Sequence, residues 1–503
     1  MGPVHEHGPI FLNIFMSRII FLILCSWIGI AHANLPDLTL KGSLQGNDHQ
    51  SYVKLPFTVP VQTQRITIDF SYTGKQDRSV IDLGLIGPDG KVLGWSGGNK
   101  SSLTISALDA TPSYSTTPIY PGEWQLLLGV PNMRANAQSD FKADIYFSKS
   151  LSANDEPHLL SKPLVNKPGW YRGDLHSHTA HSDGSCQRLD KAERVPCPVF
   201  VTAMAAAKRG LDFMAITDHN TVSQANSVRE IQPYFNPLLL MVAREVTTFF
   251  GHANVFGTRS DLNFQIDHTE KSWNRILSDV ESQKALISIN HPVRPSGELC
   301  MGCGWNTLSN MEKVHAIEVV NGGDIDTAFS GLPFWHEQLN KGYRITAISG
   351  SDNHRPDQDD HLILGAVGVP ITAVYANALS ENEIVKGIRQ GNVFIDLTAS
   401  KNKVLEFAAT NLSNDRAVMG QALKVPAGSE VKLKVIVKNA ADTYLHWWVD
   451  GVSVPMGFGN NINSNDQTIE IQRQFDGKPH WIRVDVKDAN GKTILIGNPI
   501  YIR

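Results

Sequence analysis

The segment Tyr171 to Gly184 reads YRGDLHSHTAHSDG and carries His176, His178, His181 and Asp183. Side chains two residues apart on an extended strand share a face, so the imidazoles of His176 and His178 point the same way. Imidazole is the commonest metal ligand, and this pair, with Asp183 before a glycine turn, begins a cation site. A solvated His-rich strand end is the bland alternative. Later segments weigh against it, because apolar runs keep finishing in the same residue types. LDFMAIT ends in Asp218-His219-Asn220, LLLMVA in Arg244-Glu245 and ALISI in Asn290-His291-Pro292. His252 stands before ANVFG, and Ser351-Asp352-Asn353-His354 follows ITAISG.

In a parallel βα barrel such strand ends converge on one face, where active sites are built. His176, His178, Asp183, His219, Glu245, His252, His291, Asp352 and His354 then share one pocket. Carboxylates gathered in that way repel one another and are costly to desolvate; cations resolve the conflict. At about four ligands per ion, with one carboxylate bridging, the set suits two or three divalent transition-metal ions. Mixed nitrogen and oxygen donors fit Zn, Mn or Fe and argue against Mg or Ca alone. The chemistry expected is hydrolysis, since such ions lower the pKa of water and polarise a phosphoryl or carbonyl oxygen. His354 or His181 is expected to protonate the leaving group, and Asp352 is counted with them as catalytic. Ser182 is not in a nucleophile elbow and reads as a turn residue.

Around these, Arg294 and Arg355 are expected at the pocket rim, where guanidinium forks suit phosphate or carboxylate; surface ion pairs are the alternative. Arg244, next to Glu245, alternates to the other side of its strand. Asp174 and Asp218 read either as carboxylates that orient ligating imidazoles or as ordinary turn acids. Trp305 either walls the pocket or packs its own loop.

The elements that must position these residues fall in order. A chain of 503 residues is expected to hold more than one domain. Arg18, the apolar run Ile19 to Ile30 and Ala31-His32-Ala33 read as a signal peptide over 1–33. That run is short of the ~20 residues a spanning helix needs, so the mature protein is expected to be periplasmic or secreted, without a membrane anchor. Residues 34–165 alternate in short runs such as RITIDFSY and VIDLGLI, separated by turn dipeptides, and read as a β-sandwich. From 166 to 400 apolar runs alternate with helical patterns, which indicates α/β units. Helices are expected over Val199 to Arg209, over Lys271 to Gln283 and after Ser380, which forms a capping box with Glu383. Residues 401–503 return to β texture and read as an immunoglobulin-like domain. With 42% hydrophobic and 19% charged residues the composition is that of a globular protein. The net charge of -4 provides no footprint for nucleic acid, so a small-molecule substrate is the expected partner.

Four cysteines follow the leader. In an oxidising compartment an even number favours disulfides, and Cys186–Cys197 with Cys300–Cys303 is the expected pairing. A CxxC zinc half-site at Cys300 and Cys303 is the alternative.

LHSHTAHSDG, ITDHN, REVTTFFGHANVFG, INHP and GSDNH resemble, in order, the motifs of the polymerase and histidinol phosphatase (PHP) superfamily over about Gly169 to Thr398. The leader, YRGDLHSHT and the closing GNPIY are most similar to its exported, carbaryl hydrolase-like branch. The resemblance implies an α/β fold with a distorted seven-stranded (β/α) barrel, here flanked by the two β domains, and a trinuclear metal centre. It implies one ion on His176, His178, Glu245 and Asp352. A second would take bridging Glu245, His252 and His291, and a third Asp183, His219 and His354. Asp183 stands where some members carry histidine. The superfamily's commonest activity makes a phosphoesterase the first expectation. The branch suggests a carbamate or carboxylic ester hydrolase as the alternative, and the flanking β domains suggest a metal-containing binding module without catalysis.

Overall fold

Alternating apolar residues build the first part of the chain. Strands β1 (Leu38–Gln45), β2 (Tyr52–Val59), β3 (Arg65–Tyr72), β4 (Val80–Ile86), β5 (Val92–Ser96), β6 (Ser102–Ser106), β7 (Gly122–Asn132) and β8 (Gln138–Ser148) form two antiparallel sheets, ordered β1-β8-β3-β6 and β2-β7-β4-β5. Phe57, Ile66, Ile68, Leu83, Trp124 and Ile145 are buried in one shared core, as inward positions of alternating strands must be.

The computed structural model describes residues 35–98, 100–151, 163–266, 271–298, 300–358, 365–456 and 459–503. The expected signal peptide lies outside them. The chain divides into Met1–Leu35 and the unit Pro36–Arg503. No helix among the described residues is long and apolar enough to cross a membrane.

The central region begins with β9 (Gly169–Asp174), a hairpin of β10 (Ser185–Gln187) and β11 (Arg194–Pro196), and helix α1 (Val199–Arg209). Alanine-rich α1 starts after Pro198 and stops at left-handed Gly210, a common helix ending. Then come β12 (Phe213–Ile216), α2 (Ala225–Ile231), β13 (Leu239–Val242), β14 (Arg244–Thr248), β15 (Gly251–Phe256), α3 (Asn274–Ser282), β16 (Leu286–Ile289), β17 (Ala316–Asn321), α4 (Leu332–Asn340), β18 (Thr346–Gly350), β19 (Ile371–Ala376), α5 (Glu381–Arg389) and β20 (Val393–Asp396). The Ser380 side chain accepts from the Glu383 amide and so caps α5.

The strands do not form simple parallel βα units, and the described chain is mostly β. One sheet runs β13-β12-β9-β19-β20, with β12 parallel to β13 and β9 but β19 antiparallel to both neighbours. A second runs β14-β15-β16-β17-β18, and its β15 is antiparallel to β14 and β16. Two parallel bridges, Ser177 to Asn353 and His219 to Glu245, join the sheets just beyond the ends of β9, β18 and β12.

The first sheet continues into the C-terminal region. Phe394, Ile395 and Asp396 pair with Gly497, Ile496 and Leu495 of the strand Thr493–Gly497. The Asn498 side chain accepts from the Ala347 amide and donates to the carbonyls of Ala347 and Val393. A separate four-stranded antiparallel sheet, built on Val404–Thr410, Glu430–Lys438 and Asp466–Gln474 with Arg416–Val418 at its edge, packs over it. At the other end, buried Asp109 pairs with Arg65 and with Arg229 of α2, and Asn226 accepts from the Ala110 amide.

Candidate metal centre

The bridges bring the motif ends together. β9 stops at Asp174, and the following extended stretch carries His176 and His178 on one side while Ser177 pairs with Asn353. β15 runs against its neighbours, so its first residues, not its last, meet the ends of β14 and β16. This puts His252 beside Glu245 and His291. Gly350 leaves room for this approach: a Cβ there would lie 2.3 Å from the Cβ of His176.

Glu245 is the hub. It is buried, and its oxygens lie 3.4 Å from His176 Nε2, 3.7 Å from His178 Nε2, 2.8 Å from His219 Nδ1, 3.5 Å from His252 Nδ1 and 3.3 Å from His291 Nε2. Asp352 Oδ1 lies 3.3 Å from His176, 3.1 Å from His178 and 3.7 Å from His354 Nδ1. At the mouth, Asp183 Oδ1 lies 3.3 Å from His354 Nε2 and 3.6 Å from His219 Nε2. All nine ligand candidates from the motifs therefore meet. Their donors, with the Cys303 sulfur, fall into four overlapping groups, each with atoms within 4.8 Å of one another, close enough to hold an ion. His291 and Asp352 have positive φ, +28° and +52°, and strained backbone of this kind clusters at functional sites.

The groups shift one another strongly. Burial alone would raise the pKa of Glu245 and Asp352, but the surrounding imidazoles hold both well below the carboxylate range. Burial opposes a charge on His176, yet Asp352, Glu318 and Glu245 raise it well above the usual value. His219 is pushed up to about 10, where Asp183 and Glu245 outweigh burial. His178 goes the other way: it is fully buried and has His354 beside it.

A divalent ion fits this donor set on a specific observation. His176 Nε2 is buried and has no hydrogen-bond partner, although it points between Glu245 and Asp352. A cation bound there would take the place of the Nε2 proton, facing two carboxylates.

The ring is held by residues that the motifs do not flag. Glu318 Oε1 lies 3.0 Å from His176 Nδ1, and its Oε2 accepts from the His291 amide and from Asn321 Nδ2. Asn290 Nδ2 donates to Glu245 at 2.8 Å. The signal for Glu318 was a single acid inside the apolar run AIEVV. Asp174 orients backbone, whereas Asp218 also reaches a ring through Ser182, whose hydroxyl lies 3.4 Å from His178 Nδ1. Asp174 accepts from the amides of His176, Ser351 and Gly368, and Asp218 from the amide and hydroxyl of Thr179 and from Ser182.

Other candidates part company. His181 has Nδ1 2.7 Å from Ser223 Oγ and Nε2 3.4 Å from Ser227 Oγ, and does not line the cleft above the cluster. Arg294 does line it, paired with Asp324, whereas Arg355 is exposed and off the wall. Arg244 reaches away to the Ser260 carbonyl. Trp305 packs on Trp273, with ring centres 4.7 Å apart. The cleft measures ≈ 840 Å³, and Phe249, Phe264, Ile266 and Met301 give it an apolar wall.

Cys300 and Cys303 are disulfide-bonded at the cleft. The expected Cys186–Cys197 bridge is corrected to two free, buried thiols. In the hairpin register Cys186 faces Val195 and not Cys197. Burial, with Cys186 alongside, raises the Cys197 thiol.

No protein-family model matches the chain, and no curated protein matches it. Among solved structures, a two-domain protein from Bacteroides vulgatus, described as containing a predicted PHP-like metal-dependent phosphoesterase, aligns with 68% of this chain and 98% of its own at 18% identity, with a TM-score of 0.37. The Yersinia pseudotuberculosis-derived mitogen aligns with 25% of this chain and 97% of its own at 16% identity, with a TM-score of 0.16. Similarity at this level does not establish a shared fold.

Proposed function

We propose that this chain is an exported, metal-dependent hydrolase of the PHP type that cleaves a small phosphoester. The observation that carries the reading is the meeting of nine candidate ligand residues around Glu245 and Asp352, themselves two of the nine, with His176 Nε2 buried and unpartnered between those carboxylates. The PHP assignment is further supported by the strand pairing. The single bridges Ser177–Asn353 and His219–Glu245 bring edges of the two central sheets together, which supports reading them as one distorted barrel.

His176, His178, Glu245 and Asp352 would hold one ion, Glu245, His252 and His291 a second, and Asp183, His219 and His354 a third. Bound divalent ions supply Lewis acidity and a water acidic enough to attack an ester near neutral pH. Arg294, on the cleft wall, offers an anionic substrate a guanidinium, and Asp324 fixes its direction. Its presence beside the donors favours a phosphoester over an uncharged carbamate. Of the two imidazoles expected to protonate the leaving group, only His354 faces the cleft, and it is free for that role where two ions are bound and the third site is empty.

The test is a paired assay of purified protein on p-nitrophenyl phosphate and 1-naphthyl N-methylcarbamate, with and without Mn or Zn. Metal-dependent phosphate release that His176→Ala abolishes is the expected result. Carbamate cleavage alone would replace the substrate assignment, and near-normal turnover in His176→Ala would remove the metal centre.

A further inference from the structure

The sulfur of Cys303 lies among the metal donors. It is fully buried, and it falls within 4.8 Å of a ligand nitrogen of His252 and of His291. Both imidazoles reach Glu245; His252 Nε2 also lies 3.0 Å from the Met301 carbonyl, between the two cysteines, while His291 Nδ1 is buried without a hydrogen-bond partner. Backbone bonds fix the loop to the same strands. The Gly251 amide donates to the Gly302 carbonyl at 2.8 Å, and the Trp305 amide to the Pro292 carbonyl at 2.9 Å. These anchors sit next to His252 and His291 in sequence. Gly302 makes the approach possible: its φ is +80°, and a Cβ would stand 2.1 Å from the Thr248 carbonyl oxygen.

We propose that Cys303 is a masked metal ligand, released when the Cys300–Cys303 bridge is reduced and then bound to the ion held by His252 and His291. The inference rests on the metal-centre reading. A sulfur in a disulfide is a poor donor, whereas a thiolate is a strong one for Zn or Fe. Opening the bridge takes two electrons and two protons. A dithiol supplies both, and its own thiols close to a disulfide as the Cys300–Cys303 bond breaks. Cys300 remains a thiol, and Cys303 gives up its proton on binding the cation. The added ligand fills a position that a hydrolytic site must leave open, so the bridged form is the active one.

Protein loaded with Co(II) distinguishes the states, because sulfur bound to cobalt adds a charge-transfer absorption in the near ultraviolet, separate from the visible bands. Wild-type protein reduced with a phosphine and desalted without oxygen should gain that absorption. Cys300→Ser should show it without reductant. Oxidised wild type and reduced Cys303→Ser should lack it, while all four keep the visible bands. Visible bands with no gain on reduction, or a gain that persists in Cys303→Ser, would overturn the inference and leave the metal centre standing. Absence of cobalt bands in every form would overturn both.

Discussion

Replacing Glu318 with glutamine tests whether the buried carboxylate sets the tautomer of His176. The change keeps the shape and removes one acceptor. In the wild type, one Glu318 oxygen lies 3.0 Å from His176 Nδ1 and the other accepts from the His291 amide and Asn321 Nδ2. A glutamine has two orientations. With its oxygen toward His176, its NH2 meets two donors in a buried site. With its NH2 toward His176, Nδ1 must become an acceptor, and the proton moves to Nε2, the nitrogen that faces Glu245 and Asp352. The first costs about 1–3 kcal/mol as an unsatisfied buried group. The second removes the lone pair a cation needs. Partners of this kind are worth about 10–100-fold in metal affinity, or ~1.4–2.7 kcal/mol, so both routes lead to the same range. Competition with a chromophoric chelator should therefore show one class of Zn site in Glu318→Gln weakened by about 10–100-fold. Wild-type affinity and stoichiometry, with an unchanged melting temperature, would refute the argument.

Metal-free protein, prepared with a chelator, should lose stability as pH rises from about 6.5 towards 10. His219 titrates near 6.5 when unfolded and is pushed up to about 10 when folded, and His176 and His354 are raised too. A group shifted upward contributes stability that is complete below its unfolded pKa and lost through its folded one. Zn, which binds neutral imidazole, should flatten or reverse the trend in a melting series; a flat profile without metal would refute the assignment. Far from the centre, Asp109→Asn removes the buried carboxylate that Arg65 and Arg229 share. It should cost about 3–5 kcal/mol in urea unfolding with metal content unchanged, and a loss below about 1 kcal/mol would show that the ion-pair node is dispensable.

Much of the candidate donor set was legible in the sequence because most of its members follow or precede a run of apolar residues, and strand ends are where a sheet delivers side chains to a common edge. Direction was not legible. ANVFG reads as a strand whichever way it runs, and the antiparallel course of β15 is set by its pairing with β14 and β16. His181 shows a similar limit: three residues beyond His178, it lies in a turn whose rotation depends on Asp218 gripping Thr179 and Ser182. The apolar wall was hidden because Phe249, Phe264, Ile266 and Met301 come from loops without periodicity. Glu318 looked like one more member of a core strand, and only its contacts give it a role.

The pairing of β20 with Thr493–Gly497, and the three bonds from Asn498 to Ala347 and Val393, bear on how the protein matures. β18 leads directly to Asp352 and His354, and part of its support comes from a residue 151 positions further along the chain. A growing polypeptide displays most of the donors long before it owns the segment that steadies the final two. If the centre holds cations, their uptake in its finished form would thus wait for that later segment to be in place.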